Sequence, residues 1–286
     1  MKTYFELSIK IYPYVDDEYI TTKLWELEPE GVYENDIKQS FDLYFPDKPN
    51  LDKVIYLLNE LKTQNFIAGF EYTLSELEEK NWNEEWEKNL RVIEISDKLV
   101  VKPSNKEYSP KDGQIVLIID PKMSFGTGEH ATTQMMLKLI EKYINPNDKV
   151  IDVGTGTGIL AIAAIKLGAN FAVAIDNDEW VYENILENLQ NNSIENGKIQ
   201  VLIGTSDIVK DTDFDMIIAN IQKNVLLEIA EDFKNKVKDT KNTSKVLLSG
   251  ILREDENDII NHYKTFGFNH IETIYQDEWC AIVLNK

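Results

Sequence analysis

The chain has 286 residues, enough for one large domain or two of ordinary size, and 43% of them are hydrophobic, which is typical of globular proteins. Its 50 acidic and 30 basic residues leave a formal net charge of −20, which repels phosphate backbones, so we expect no direct binding of nucleic acid. The N-terminus has no signal-peptide pattern, and the longest apolar run, ILAIAAI at 159–165, is too short to span a membrane. The sequence therefore predicts a cytoplasmic protein without membrane association. Its one cysteine, Cys280, lies in the alternating pattern of WCAIVL and is expected to be a buried strand thiol.

The N-terminal segment predicts a small α+β unit at 1–75. Strand patterns occur in YFELSIKI, VYEND, SFDLYF and FEYTLSEL, and helical patterns occur in DDEYITTKLWELE and LDKVIYLLNELKTQ. Their order is typical of a split βαβ, or ferredoxin-like, arrangement. The acidic stretch that follows is interpreted as a linker at 76–94 with a connector helix. Its two tryptophans, Trp82 and Trp86, stand four residues apart and are expected to be packing anchors between domains.

The remaining segment, 95–286, alternates strand and helix patterns. The strands KVIDV, FAVAID, IQVLIG, FDMIIAN and KVLLSGI are apolar and are separated by helical segments such as EWVYENILENLQNN and NVLLEIAEDFKNKV. Such alternation predicts a parallel sheet that is covered on both faces. FNHIETIYQ and WCAIVL are too close in sequence for a crossover helix, so we expect them to pair as an antiparallel hairpin at the end of the sheet.

A glycine-rich loop, VIDVGTGTGIL, lies between a predicted strand and a predicted helix. Glycines at 154, 156 and 158 allow the backbone to turn sharply and a ligand to approach closely. The spacing differs from the G-x-G-x-x-G of dinucleotide-binding proteins, because the third glycine comes one residue earlier, and Asp152 stands two residues before the first. The loop therefore indicates either a ligand other than a dinucleotide or a tight structural turn.

Polar residues follow several other predicted strands. Asp176 ends FAVAID, 22 residues after Gly154, where a carboxylate can accept hydrogen bonds from both hydroxyls of a ribose. Asp178 is expected to be a helix N-cap, and Asp207 is interpreted as a turn residue or as a partner of an adenine amine. Asn220 ends FDMIIAN and either holds an incoming amine or caps the next helix.

Five segments together resemble a known family: DPKMSFGTGEHATT, VIDVGTGTGILAIAA, IDND, ANI and EWCAIVL are similar to the methyltransferases that act on large-subunit ribosomal protein L11. This resemblance implies an α/β fold whose catalytic domain, at 95–286, has a Rossmann-like, seven-stranded, mostly parallel sheet. It also implies that 1–75 is a substrate-recognition domain and that 76–94 is a movable linker. The implied cofactor is S-adenosylmethionine, with no metal ion.

The resemblance implies contacts to the cofactor at Thr133, Gly154, Asp176 and Asn220. We expect Gly156 of the same glycine loop to cradle the cofactor as well. The upstream FGTG segment would close over the cofactor from the other side, with Phe125 on a lid between flexible glycines, although such glycines are also typical of simple turns. His130 is interpreted as a helix cap rather than a base.

The implied reaction is methyl transfer to amines, namely lysine ε-amines and the N-terminal α-amine of the ribosomal protein. An in-line transfer of this kind depends on positioning, so no nucleophile is assigned and Asn220 is the candidate catalytic residue that orients the amine. Lys223 is expected to be a solvated charge, and the protein is expected to be a monomer. The alternatives are an S-adenosylmethionine-dependent N-methyltransferase for another protein, a nucleic acid or a small amine, an NAD-dependent dehydrogenase, and a non-catalytic binding module.

Overall fold

The computed structural model describes residues 3–13, 18–35, 40–78, 90–122, 124–239 and 243–286. The chain divides into two compact units, Met1–Trp82 and Asn83–Lys286. The predicted connector helix, with Trp82 and Trp86, lies outside the described residues. In the described part of the chain, no helix is both long enough and apolar enough to cross a bilayer.

The described residues of the smaller unit form one four-stranded sheet and two helices. Its elements are β1 (Thr3–Tyr12), α1 (Glu18–Trp25), β2 (Gly31–Asn35), β3 (Ser40–Phe45), α2 (Leu51–Thr63) and β4 (Gly69–Glu78). The strand order is β2-β3-β1-β4, and β1 is antiparallel to both of its neighbours. The predicted split βαβ arrangement is thus confirmed. Helix α2 begins after Asn50, whose side chain accepts hydrogen bonds from the backbone N–H groups of Asp52 and Lys53, and it buries Leu58 against the sheet.

The larger unit contains two sheets and six α-helices among its described residues. Its elements are β5 (Ile93–Glu94), β6 (Leu99–Lys102), β7 (Ile115–Ile118), α3 (Ala131–Tyr143), β8 (Lys149–Val153), α4 (Ile159–Lys166), β9 (Phe171–Asp176), α5 (Val181–Asn191), β10 (Ile199–Ile203), β11 (Met216–Asn220), α6 (Lys223–Glu228), α7 (Ala230–Lys236), β12 (Lys245–Leu252), α8 (Glu256–Thr265), β13 (Asn269–Gln276) and β14 (Trp279–Asn285). Strands β5, β6 and β7 form a small sheet of their own.

The main sheet has the strand order β10-β9-β8-β11-β12-β14-β13. Its first five strands are parallel, and β14 runs antiparallel to both β12 and β13. The predicted parallel sheet and its terminal antiparallel hairpin are therefore confirmed. The order reverses at β8, because β9 lies on one side of it and β11 on the other, and this reversal opens a crevice at the carboxyl ends of the strands.

Helices cover both faces of the main sheet. Successive residues of a strand point to opposite faces, so Val150 packs in one core with residues of α3 and α4, whereas Ile151 packs in the other with residues of α6, α7 and α8. Cys280 of β14 is fully buried in the second core, which confirms the expected strand thiol. Burial raises the pKa of this thiol to about 12.

One predicted helix has a different form in the structure. NVLLEIAEDFKNKV is divided into α6 and α7 at Ile229, which has φ −93° and ψ 3° instead of helical ψ. Ile229 lines the cavity described below, while Ala230 and Phe233 are fully buried under the sheet. Helix α8 was not predicted, because Ile259 and Tyr263 are its only residues in the buried core, too few for a clear helical pattern.

Candidate functional site

A cavity of about 650 Å³ lies at the carboxyl ends of the parallel strands, where the strand order reverses. This volume is in the range of small-molecule sites, and the position is where open α/β sheets bind ligands. Five of the predicted site residues line the cavity together: Phe125, Gly154, Gly156, Asp176 and Asn220. The sheet therefore brings together residues that are almost one hundred positions apart in sequence.

Asp176, the last residue of β9, is held in place by the glycine loop and by its own loop. Its Oδ2 atom accepts a hydrogen bond from the backbone N–H of Gly156 at 2.9 Å, and its Oδ1 atom accepts one from that of Asp178 at 3.1 Å. Each carboxylate oxygen has a further lone pair that these bonds do not use. Asp178 in turn accepts a hydrogen bond from the backbone N–H of Trp180 at 2.9 Å, in the turn that precedes α5. The prediction that Asp178 is the N-cap was wrong, because α5 begins only after Trp180, which is the N-cap and makes no side-chain capping bond.

Asn220, the last residue of β11, presents an unusual amide. Its Oδ1 atom is buried and has no hydrogen-bond partner among the described residues. The next residue, Ile221, is fixed from the neighbouring strand, because its N–H donates to Ser249 O at 3.1 Å and a β-carbon on Gly250 would lie only 2.4 Å from its carbonyl oxygen. A buried acceptor without a partner is unfavourable, so this atom is a candidate for a ligand contact.

The glycine loop after β8 has no room for side chains at its first two glycines. Gly154 has φ +72°, and a β-carbon there would lie 2.2 Å from Ile221 Cγ2. Gly156 has φ +53°, and a β-carbon there would lie 2.3 Å from the carbonyl oxygen of Phe125. Both positions therefore require glycine for conformation and for close packing.

The upstream loop is bonded to the glycine loop through its backbone. Thr157 donates hydrogen bonds from its N–H to Phe125 O at 3.0 Å and from its Oγ1 to Gly126 O at 2.8 Å. The ring of Phe125 itself is 55% exposed at the cavity. The two loops thus form adjoining walls of one cavity. A lid motion of the upstream loop stays a prediction.

Thr133 stands apart from the other predicted site residues. It is fully buried in α3 and does not line the cavity, whereas its neighbour Thr132 does. The Oγ1 atom of Thr133 nevertheless has no hydrogen-bond partner among the described residues. His130 caps α3, since its Nδ1 atom accepts a hydrogen bond from the N–H of Thr132 at 3.3 Å. The interpretation of His130 as a cap is confirmed.

Sequence reasoning missed an aromatic contact at the cavity. The ring of His130 meets Phe125 edge-on at 5.3 Å and Trp279 at 5.2 Å between centroids, and all three line the cavity. Trp279 begins β14, and the sequence signals were its place at the hairpin and in the EWCAIVL segment, neither of which indicates a contact with His130. Asp207 does not line the cavity, whereas Thr205 does.

The prediction that Lys223 is a solvated charge was wrong. Its ammonium group lies 2.5 Å from Asp255 Oδ1 and 2.6 Å from Asp258 Oδ2, and these partners raise its pKa. Two carboxylates thus compensate the charge of Lys223, three residues after Asn220. This pairing connects the start of α6 to the segment that follows β12.

Asp152 lies underneath the glycine loop and is fully buried. Its Oδ2 atom accepts hydrogen bonds from Thr155 Oγ1 at 2.6 Å and from the N–H of Ala161 at 3.2 Å, whereas Oδ1 has no partner among the described residues. Burial raises the pKa of this carboxyl to about 7, and the negative charge of Asp176 adds to the rise, while the two hydrogen bonds oppose it. No group of three or more metal-ligating side chains occurs in the part of the chain described above.

Comparison with known proteins decides the family. A model described as "Ribosomal protein L11 methyltransferase (PrmA)" matches residues 13–286. The chain belongs to the ribosomal protein L11 methyltransferase family. The ribosomal protein L11 methyltransferase of Chlorobaculum tepidum is 39% identical over 245 residues, covering 84% of this chain and 83% of that protein. That of Desulforapulum autotrophicum is 33% identical over 285 residues, covering 97% and 92%.

A solved structure agrees with this membership. The crystal structure of ribosomal protein L11 methylase from Lactobacillus delbrueckii subsp. bulgaricus is 30% identical, with a TM-score of 0.63, and covers 68% of this chain and 98% of that one. The L11 methyltransferase family consists of S-adenosylmethionine-dependent protein methyltransferases, so the predicted fold class, enzyme class and cofactor are confirmed. A dehydrogenase reading is thereby excluded.

Proposed function

We propose that the protein methylates ribosomal protein L11, and that it transfers methyl groups from S-adenosylmethionine to lysine ε-amines and to the N-terminal α-amine of that substrate. The observation that supports this best is the cavity, which combines a carboxylate held by backbone amides, Asp176, with a buried amide oxygen that has no partner among the described residues, Asn220. The carboxylate of Asp176 suits the hydroxyls of a nucleoside, and the amide oxygen of Asn220 suits the N–H of an amine.

The residues around the cavity fit the cofactor. The unused lone pairs of Asp176 would accept hydrogen bonds from the two ribose hydroxyls. Gly154 and Gly156 would let the cofactor approach the loop backbone, and the exposed ring of Phe125 would cover it. Thr133 does not line the cavity, but it stays in the proposed set because its buried hydroxyl, which has no partner among the described residues, would gain a hydrogen bond from a cofactor that reaches the start of α3. When bound, the cofactor supplies an electrophilic methyl group on a positively charged sulfur.

Asn220 would act on the acceptor amine. A lysine amine has a pKa of about 10.4 and is almost wholly protonated at pH 7, so it must lose a proton before it can accept a methyl group. The Oδ1 atom of Asn220 can accept a hydrogen bond from the neutral amine and so direct the nitrogen lone pair. Because Asp255 and Asp258 compensate Lys223, this nearby cation does not oppose an approaching lysine. We assign no general base.

The smaller unit and the net charge would both act on the protein substrate. The unit Met1–Trp82 has its own buried core and would recognise the substrate, within the predicted boundary of 1–75. The net charge of −20 would attract a substrate rich in lysine and disfavour direct contact with nucleic acid. We propose a monomer that works in the cytoplasm, where ribosomal proteins are made, without membrane contact.

The direct experiment incubates the protein with purified L11 and S-adenosylmethionine labelled in the methyl group. We expect label on L11, and peptide mass spectrometry should place it on amines. Calorimetric titration with S-adenosylmethionine and, separately, with NAD should show binding of the first only. Label on a different protein in a lysate, with none on L11, would contradict the substrate assignment while leaving the cofactor assignment in place.

A truncated chain that starts near residue 90 tests the role of the smaller unit. It should bind S-adenosylmethionine like the full chain and lose activity on L11, because the cavity residues all lie in Asn83–Lys286. Full activity of the truncated chain would refute the recognition role.

A further inference from the structure

Helix α5 has three buried asparagines on one face. Asn184, Asn188 and Asn192, the last of which ends the helix, are four residues apart, so they lie one above the other along the helix. Buried amides are unfavourable unless their N–H and C=O groups find partners. Their hydrogen bonds therefore show what this face of the helix holds.

Two of these amides make equivalent sets of hydrogen bonds. Asn192 accepts from the N–H of Ile118 at 2.9 Å and donates to Ile118 O at 2.6 Å and to Asn188 O at 2.8 Å. Asn188 accepts from the N–H of Asp120 at 2.9 Å and donates to Asp120 O at 3.4 Å and to Thr157 O at 3.0 Å. Each side chain thus accepts one bond and donates two. They differ in one respect, since only Asn188 reaches the glycine loop.

The contacts of Asn188 close a ring of hydrogen bonds around one wall of the cavity. Asp120 is the residue at which the chain enters the upstream loop, and Asn188 bonds it to Thr157. Thr157 then bonds Phe125 and Gly126 at the far end of the same segment, at 3.0 and 2.8 Å. Both ends of the segment 120–126 are therefore fixed relative to the glycine loop. Ser124 and Phe125 of this segment line the cavity.

We propose that Asn188 is a positioning residue for the cofactor site, which sets the spacing between the upstream loop and the glycine loop by joining Asp120 to Thr157. This inference rests on the proposed function, in which S-adenosylmethionine occupies the cavity between those loops. Asparagine suits the position because its amide supplies one acceptor and two donors on a short side chain. Alanine would remove these partners from Asp120 N and from the buried Thr157 O.

The test compares Asn188→Ala with Asn192→Ala. Both changes remove one buried amide with three hydrogen bonds from the same helix face, so both should lower the melting temperature of the cofactor-free protein. Only Asn188→Ala should weaken binding of S-adenosylmethionine, by about tenfold in Kd on calorimetric titration. Asn192→Ala should change that Kd by less than about twofold. In turnover, KM for the cofactor should rise in Asn188→Ala, with kcat at saturating cofactor near that of the wild type.

Thr157→Val provides a second measurement if Asn188→Ala does not fold. It conserves the shape of the side chain, leaves α5 intact and removes the hydroxyl that bonds Gly126 O. We expect a weaker Kd for S-adenosylmethionine here too. Equal effects of the two asparagine changes on Kd, or an unchanged Kd in both Asn188→Ala and Thr157→Val, would overturn the inference. If the wild-type protein itself fails to bind S-adenosylmethionine, the proposed function fails instead.

Discussion

The two glycine-rich loops contain the same letters, GTG, but contribute to the cavity in different ways. In the loop after β8, Thr155 and Thr157 are buried at 4% and 0% exposure, and a β-carbon on Gly154 or Gly156 would clash with Ile221 or Phe125. In the loop before α3, the backbone is bonded to Thr157 but the ring of Phe125 stands 55% exposed. One loop forms the floor of the cavity, and the other presents a side chain to it.

The difference shows that the surroundings of a glycine, more than its motif, determine what it does. Gly126 and Gly128 also have positive φ, +105° and +87°, but their neighbours are side chains of Thr157 and Val101. The neighbour of Gly156 is a backbone carbonyl, which cannot move aside without moving the other loop. Substitutions in the glycine loop should therefore have the larger effects, and substitutions at the cavity surface should have smaller and more specific ones.

The largest effect is expected from Gly156→Ala, which would break the junction of the two loops. A β-carbon there adds left-handed strain at φ +53° to a clash with Phe125 O, and together these should cost about 2–4 kcal/mol of stability. Thermal unfolding measures this loss, and calorimetry should detect no binding of S-adenosylmethionine. Gly197→Ala is the control, since it has φ +85° and no described heavy atom within 4 Å, and it should show the strain alone. Equal losses in both variants would show that the junction is not tight.

Asp176→Ala removes the carboxylate at the end of β9 and adds no atoms at the junction of the two glycine-rich loops. Loss of a charged hydrogen-bond acceptor should weaken binding of S-adenosylmethionine by about 1–3 kcal/mol. Calorimetric titration measures the affinity directly. Asp207→Ala removes a carboxylate that does not line the cavity and should leave the affinity near that of the wild type. Unchanged affinity in Asp176→Ala would place the ribose elsewhere.

Asn220→Ala separates alignment of the amine from binding of the cofactor. We expect kcat on L11 to fall by about 10–100-fold, because misplacement of a reacting group has effects of this size, with little change in KM for S-adenosylmethionine. Steady-state kinetics with each substrate varied in turn give both parameters. Asn224→Ala, at an exposed position nearby, should leave both unchanged. A near wild-type kcat in Asn220→Ala would contradict the orienting role and leave Asn220 only the role of capping the next helix.

Thr133→Val tests whether the helix that follows the upstream loop contributes a hydrogen bond to the cofactor. If the buried hydroxyl of Thr133 gains its partner from the cofactor, the isosteric change should raise the Kd for S-adenosylmethionine about fivefold, at the low end for one hydrogen bond. Because the hydroxyl has no partner among the described residues, the cofactor-free protein should not lose stability. A higher melting temperature with an unchanged Kd would instead assign Thr133 to the core of α3 alone.

A further prediction concerns stability rather than the cavity surface, and it is a pH dependence that originates beneath the glycine loop. Burial raises the pKa of Asp152 to about 7, above the value of about 3.9 in an unfolded chain. The folded protein therefore binds more protons between these values, so the contribution of Asp152 to stability falls as the pH rises from about 4 to about 7 and is at its minimum above that window. The melting temperature of Asp152→Asn relative to that of the wild type should therefore be higher at pH 8 than at pH 5. Each kcal/mol of difference in stability corresponds to about 2–4 °C. An equal gap at both pH values would contradict this assignment.

The main sheet could be predicted from the sequence because its signals are local. Each parallel strand is a short apolar run, and the short connection between β13 and β14 permits only an antiparallel hairpin. The carboxyl ends of parallel strands meet at one edge, so Gly154, Asp176 and Asn220 could be assigned to one site before any coordinates were known.

The parts that were not predicted depend on contacts distant in sequence. Lys223 was assigned to solvent because its carboxylate partners, Asp255 and Asp258, lie beyond another strand of the chain. The contact between His130 and Trp279 joins the start of α3 to the start of β14, which no local pattern reveals. Thr132 and Thr133 are adjacent in sequence, and only the rotation of α3 decides which one lines the cavity.

The burial of Cys280 makes the protein a reporter of its own unfolding. It is the only cysteine in the chain, it lies at 0% exposure on a strand inside the main sheet, and a thiol with a pKa of about 12 is almost entirely unreactive at neutral pH. A thiol-specific reagent should therefore modify the protein only when β14 separates from its neighbours. The labelling rate would then measure how often the main sheet opens, without any engineered probe, and how far a bound ligand suppresses that opening.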